Sequence, residues 1–219
     1  SATERPTRTP TLTPIPTLSA ENALETFVNL IEKDNKCVLP CWLGVVPGQT
    51  KFYEVQNEFS RFISIAYTEF SAKWAFIKVF FPNSETDIHH TATQVDPAKN
   101  GTVSRILVYA VVNQNTTYSN PAYQKMWQRY FVSEIFTKYG PPEKIFLDTT
   151  LISAEPATSY PFAVWIIYPQ DGFMLRYDGS NIKAGKDIRI CPMQSKIEIT
   201  IWDVETSTYE EFIKNDKAG

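Results

Sequence analysis

The chain has 219 residues, 43% hydrophobic and 21% charged, with a net charge of −3. That balance is ordinary for a folded soluble protein with chain enough for a large core. The charges are interspersed without a basic stripe, so nucleic acid is not an expected partner. No apolar run reaches the ~18 residues of a membrane span, and 8 glycines are few for a phosphate-cradling enzyme fold.

In chain order, Ser1 to Leu18 consists largely of Thr and Pro, including Thr-Pro-Thr-Leu-Thr-Pro-Ile-Pro-Thr. Proline fixes φ and lacks a backbone donor, so residues 1–18 read as a disordered stalk. The expectation is an anchor upstream of Ser1 and a single domain over 19–219. Ser19 is a natural N-cap, and Leu24, Phe27, Val28 and Ile31 recur at helical spacing behind it. Next comes Cys37-Val-Leu-Pro-Cys-Trp-Leu-Gly-Val-Val-Pro-Gly-Gln-Thr50, which reads as an ordered loop. A second helix starts near Thr50, with Phe52, Val55, Phe59, Phe62 and Ile63 on its apolar face.

Two β-rich runs follow, Lys73–Phe81 and Thr102–Val112. The polar stretch Pro82–Gly101 between them reads as a long loop across which the two runs pair. A third helix is punctuated by Asn120-Pro121 at its start and by Gly140-Pro-Pro142 at its end. Lys144–Thr149, Phe162–Tyr168, Phe173–Tyr177, Asp187–Ile190 and Lys196–Trp202 read as strands. The last alternates cleanly, which predicts one wet face. Ser207-Thr-Tyr-Glu210 is a capping box opening a terminal helix. The pattern is α+β: two tandem helix-plus-antiparallel-strands units, about 50–115 and 120–203, forming one sheet with helices on one side. Each unit reads as αβββ.

The chemistry-bearing residues are sparse. Cys37, Cys41 and Cys191 make an odd count. With the Thr/Pro stalk, that suggests an extracytoplasmic protein with one disulfide and one free thiol. Cys37–Cys41 is the expected pair because the loop between them is short, and Cys191–Cys41 is the alternative. No metal site is expected from the cysteines, whose spacing is not C-x-x-C. His89 and His90 form the remaining metal-like pair, but adjacent histidines on a strand point to opposite faces, and their stretch reads as an exposed loop. No nucleophile elbow, phosphate loop, zinc-protease helix or dinucleotide fingerprint occurs, and no cofactor is expected. Trp74, Tyr109, Trp165, Tyr168, Tyr177 and Trp202 fall on predicted strands. Most such aromatics belong in a core, but these six are the candidates for an open, ligand-stacking sheet face.

The run Leu39-Pro-Cys-Trp-Leu-Gly-Val-Val-Pro-Gly48 resembles a motif of an uncharacterised bacterial lipoprotein family. Tyr139-Gly-Pro-Pro-Glu-Lys-Ile-Phe-Leu147 and Ile190-Cys-Pro192 resemble later segments of the same family, so the likeness covers about Asn35 to Asp203. The helix–Gly-Pro–strand pattern at Tyr139-Gly-Pro-Pro142 is also similar to the fold of β-lactamase inhibitor proteins and small outer-membrane assembly lipoproteins. That second resemblance implies protein binding over a concave sheet without catalysis. The expectation is a non-catalytic extracytoplasmic binding domain, membrane-anchored or at the cell surface, taking an unknown protein or saccharide ligand. The alternative is a secreted hydrolase or carbohydrate-active protein using the sheet face and its loops.

Overall fold

The structure, a computed structural model, describes residues 16–33, 36–83, 87–111, 125–148, 162–179 and 196–216. Side chains of 80–90, 111 and 214–216 lie outside that description. So do Cys191, the expected strand over 187–190, the expected start of the third helix at 120–124 and nearly all of the Thr/Pro stretch.

Helix α1 spans Ala20–Glu32, and the Ser19 hydroxyl accepts from the Asn22 amide as the expected N-cap. Helix α2 spans Phe52–Ser60 and buries Val55 and Phe59. Four strands follow: β1 (Ala66–Phe70), β2 (Ala75–Asn83), β3 (Asp87–Pro97) and β4 (Val103–Val111). Then come helical residues 125–127, a 3-10 turn η1 (Gln128–Tyr130) and helix α3 (Val132–Tyr139). Strands β5 (Lys144–Asp148), β6 (Phe162–Tyr168), β7 (Phe173–Gly179) and β8 (Lys196–Trp202) complete the sheet, and helix α4 (Tyr209–Asp216) ends the described chain.

All eight strands form one antiparallel sheet in the order β1-β2-β3-β4-β8-β7-β6-β5. Each half is a helix followed by a four-stranded meander, and the halves join by their last strands, β4 and β8. The α+β class and the tandem repeat are therefore present, with αββββ among the described residues of each half against the expected αβββ. The strands beyond the two β runs expected in the first unit are β1, missed in the link after Ile63, and β3, which occupies the stretch expected to be a loop; of the five expected in the second unit, that over 187–190 lies outside the described residues. The runs β2 and β4 accordingly do not pair with each other; β3 lies between them.

Side-chain alternation divides the sheet into two faces. Ile77, Val95, Ile106, Val108, Ile199, Ile201, Leu175, Tyr177 and Ile166 point to one face, where they share a core with Phe27 and Ile31 of α1, Val55 and Phe59 of α2, and Ile135 of α3. This is the helix face, and it carries the helices of both repeats, as expected. The terminal helix departs from that plan. Tyr209, Phe212 and Ile213 of α4 pack on the opposite, outer face against Ala163, Trp165, Ile167, Met174 and Trp202.

Three expectations need physical correction. The expected wet face of β8 is dry: Glu198, Thr200 and Trp202 are buried, because β8 is central in the sheet and α4 lies over the Trp202 end. The third helix is broken. Phe131 is extended (φ −70, ψ 150) between η1 and α3, which lets Tyr130 pack on the cysteine loop while Ile135 enters the core. His89 and His90 lie on strand β3, paired with Phe81 and Phe80 of β2, and not in a loop.

The 36–50 loop is held from several directions. Cys37 and Cys41 form a disulfide, the expected pair. Trp42 is buried, stacks on Trp127 with ring centroids 5.8 Å apart, and donates its indole N–H to Thr93 Oγ1 at 3.1 Å. The Arg129 guanidinium donates to the carbonyls of Ile31 and Cys37, each at 3.2 Å. Gly48 takes φ +78, and a Cβ there would stand 2.9 Å from the Asp203 carboxylate, so this turn needs glycine.

Candidate functional site

Among the described residues the outer face is covered unevenly. Over β5–β8 the helix α4 seals an apolar patch. Over β1–β4 the same face presents Tyr67 and Glu69 from β1, Phe76 and Lys78 from β2, Gln94 and Asp96 from β3, and Arg105, Leu107 and Tyr109 from β4, as the strand register dictates. Tyr67 is 53% exposed, and Phe76, Lys78, Gln94, Leu107 and Tyr109 are half-buried. This half of the sheet is the candidate site.

Its aromatic part is a short chain of rings. Phe76 meets Tyr67 at 6.3 Å and Trp74 at 6.4 Å, both edge to face. The Tyr67 hydroxyl donates to Glu69 Oε2 at 2.9 Å, and that carboxylate raises the Tyr67 pKa. The polar part is ordered by direct bonds. Arg105 Nε donates to Asp96 Oδ2 at 2.7 Å, and Gln94 Nε2 donates to Asp96 Oδ1 at 2.9 Å. At the boundary with α4, the Arg105 guanidinium stands 5.6 Å from the Phe212 ring centroid, and the Lys196 ammonium stands 5.6 Å from that of Tyr109. The surface is thus pre-organised, mixed in charge and aromatic.

A pocket of about 230 Å³ lies on the helix side, lined among others by Glu32, Leu39, Arg129, Glu134, Lys138 and Tyr139. Its phenol is poorly suited to base chemistry. Burial pushes the Tyr139 pKa up to about 12, and its hydroxyl donates to the Leu39 carbonyl. The Lys138 ammonium is pushed down by partial burial and by Arg129 nearby. The Thr137 hydroxyl in this lining donates to the Ser133 carbonyl of its own helix. Among the described residues no three His, Cys, Asp or Glu side chains converge on a metal-sized site.

The six aromatics expected to line a sheet face are distributed as follows. Tyr109 lies on the open outer half, and half-buried Trp74 meets Phe76 there. Trp165 and Trp202 are on the same face but buried under α4. Tyr168 and Tyr177 are on the helix face, where their hydroxyls donate to the carbonyls of Gly140 and Tyr130, each at 2.7 Å. Four of the six are therefore packing residues. Tyr67 and Phe76 were missed as site residues. For Tyr67 a weak signal existed, the strand-forming alternation of Ala-Tyr-Thr-Glu-Phe over 66–70.

Comparison of the chain with protein-family models, with curated proteins and with solved structures returns no match in any of the three. Among the described residues, fold and site define an α+β protein of two αββββ repeats, with an aromatic and charged half-face that no described helix covers beside a helix-capped one. Its disulfide fits an oxidising, non-cytoplasmic compartment. No helix among the described residues is long and apolar enough to cross a membrane.

Proposed function

We propose that this is a non-catalytic extracytoplasmic binding protein held at a membrane surface, with the Thr/Pro stretch as its stalk, as in the lipoproteins its cysteine motif resembles. The partner is a protein, and it docks on the open outer half of the sheet. The observation that carries this reading is the contrast across one face: α4 caps the β5–β8 half, while the β1–β4 half keeps Tyr67, Trp74, Phe76 and Tyr109 beside ordered charges. Aromatic anchors ringed by arginine and carboxylate match the composition of protein-binding hot spots. A broad sheet face bearing several aromatic and charged groups suits an extended partner surface.

The test is site-specific photo-crosslinking in cells of the native compartment. A crosslinker at Tyr67 is expected to trap a discrete protein adduct that R105E, on the same half-face, abolishes. A crosslinker at Tyr53, 50% exposed on α2 at the opposite side of the sheet, is expected to trap none. Equal adducts from Tyr53 and Tyr67, or an R105E-insensitive adduct, would refute the assignment of this face. Stacking of a saccharide on Trp74 and Tyr109, with no protein adduct, would favour the carbohydrate-active alternative.

A further inference from the structure

Strand β5 ends the sheet: its sole partner in the strand order is β6. Among the described residues, one side of its backbone therefore has no neighbouring strand to take its N–H and C=O groups, the arrangement that recruits another strand. Such edges are usually blunted by charge, proline or a bulge. Here the exposed centre is apolar. Ile145, Phe146 and Leu147 are 56%, 42% and 51% exposed, and charges stand only at the two ends, Lys144 and Asp148.

The order of those five residues is self-complementary. If a second Lys-Ile-Phe-Leu-Asp strand pairs antiparallel about a two-fold axis at Phe146, each Lys144 faces the other copy's Asp148. Each Ile145 then faces the other Leu147, and the two Phe146 rings are opposed. Directly opposed residues stand about 4.5–5.5 Å apart at Cβ, so both charge pairs and both aliphatic pairs form at once. The side chains also sort by face. Lys144, Phe146 and Asp148 share the outer face, since they pair with Ile167, Trp165 and Ala163, and Ile145 and Leu147 share the helix face. The Lys144 ammonium already contacts the Tyr209 hydroxyl and stands 4.4 Å from that ring's centroid, so α4 holds the cation beside the edge. The other sheet edge lacks this symmetry. Pairing β1 on itself about Thr68 sets Tyr67 against Glu69 and gives the acid no cationic partner.

We infer that β5 is a homodimerisation edge, and that two copies join through it into one continuous sheet with isologous symmetry. The inference does not depend on the partner proposed for the β1–β4 half-face, which lies at the other end of the strand order.

The test is sedimentation equilibrium of the full chain across a concentration series, with charge reversal at the strand ends. The unaltered protein is expected to dimerise in the micromolar range, since an edge of this length buries less than a standard interface. K144E and D148K each set like charges opposite one another twice, and each is expected to weaken dimerisation roughly tenfold or more. An equimolar mixture of the K144E and D148K chains restores two attractive pairs and is expected to recover the dimer as a heterodimer. Loss of fold in either variant could not produce that recovery, and far-UV circular dichroism of each chain checks folding directly. A monomer at all concentrations would overturn the inference and leave the edge to a strand from another source. So would a dimer insensitive to both reversals, or a mixture that fails to recover.

Discussion

Replacing Cys37 and Cys41 together by alanine asks what holds the 36–50 loop to the sheet. The disulfide closes a loop with a sequence separation of 4, and the chain-entropy relation gives about 2 kcal/mol for so short a closure. A second contribution is local. The Gly44 N–H donates to Cys37 Sγ at 3.1 Å, and an alanine removes that acceptor from a partly buried donor, at a cost of about 0.5–1.5 kcal/mol. The double variant should therefore lose about 2.5–3.5 kcal/mol. In a chain of this size, that lowers the melting temperature by roughly 5–14 °C. Trp42 should matter more. It is 2% exposed, stacked on Trp127 and bonded to Thr93, and truncating such a residue costs about 3–5 kcal/mol. The assay is thermal unfolding of both variants, with near-UV circular dichroism well below the midpoint. The double cysteine variant is expected to keep the native aromatic signal and Trp42→Ala to lose it. If the cysteine variant loses that signal, or is the less stable of the two, the loop is anchored by the disulfide and the reasoning fails.

Other outcomes follow from single contacts. Gly172→Ala should destabilise more than Gly101→Ala in urea titration. Both glycines have positive φ, but a Cβ at Gly172 would meet the Trp202 carbonyl at 2.7 Å, whereas nothing lies within 4 Å at Gly101. The Gly101 change should cost about 1 kcal/mol, the conformational penalty alone. The folded Tyr139 pKa of about 12 lies above the ordinary phenol value of 10.0, because the ring is buried. The native state therefore keeps a proton that the unfolded chain has released, and stability should fall as pH rises from about 10 to 12. Tyr139→Phe should flatten that fall, as read from unfolding midpoints across the interval. Deleting α4 should uncover Ala163, Trp165, Ile167, Met174 and Trp202, so the truncated chain is expected to bind a hydrophobic dye and aggregate where the full chain does neither.

Local features were legible in the sequence wherever a residue acts on its own neighbourhood. Ser19 caps α1, and Gly140, at φ 76, follows the last residue of α3 as its C-cap, because caps satisfy backbone groups within one turn. Strands β6 and β8 have the expected limits, since runs of β-branched and aromatic residues disfavour the alternatives locally. The Cys37–Cys41 bond was legible for the same reason, its partners being close in the chain. The candidate site was less so: Trp74 and Tyr109 were named, but alongside four aromatics that the fold buries.

What only the tertiary structure decided is adjacency. Asp-Ile-His-His-Thr-Ala-Thr-Gln over 87–94 looks like a loop by composition, yet it is the first part of β3, because the flanking strands β2 and β4 supply its ladder. Backbone hydrogen bonds are indifferent to side-chain polarity, so a strand between two others needs no signature of its own. Alternation in β8 correctly told which residues share a face, but not whether that face is wet. Its outer side chains are buried because β4, β7 and α4 surround them, and Tyr109 keeps partial exposure because α4 packs over the other half. Burial is set by which distant segments arrive, and that is a property of the assembled sheet.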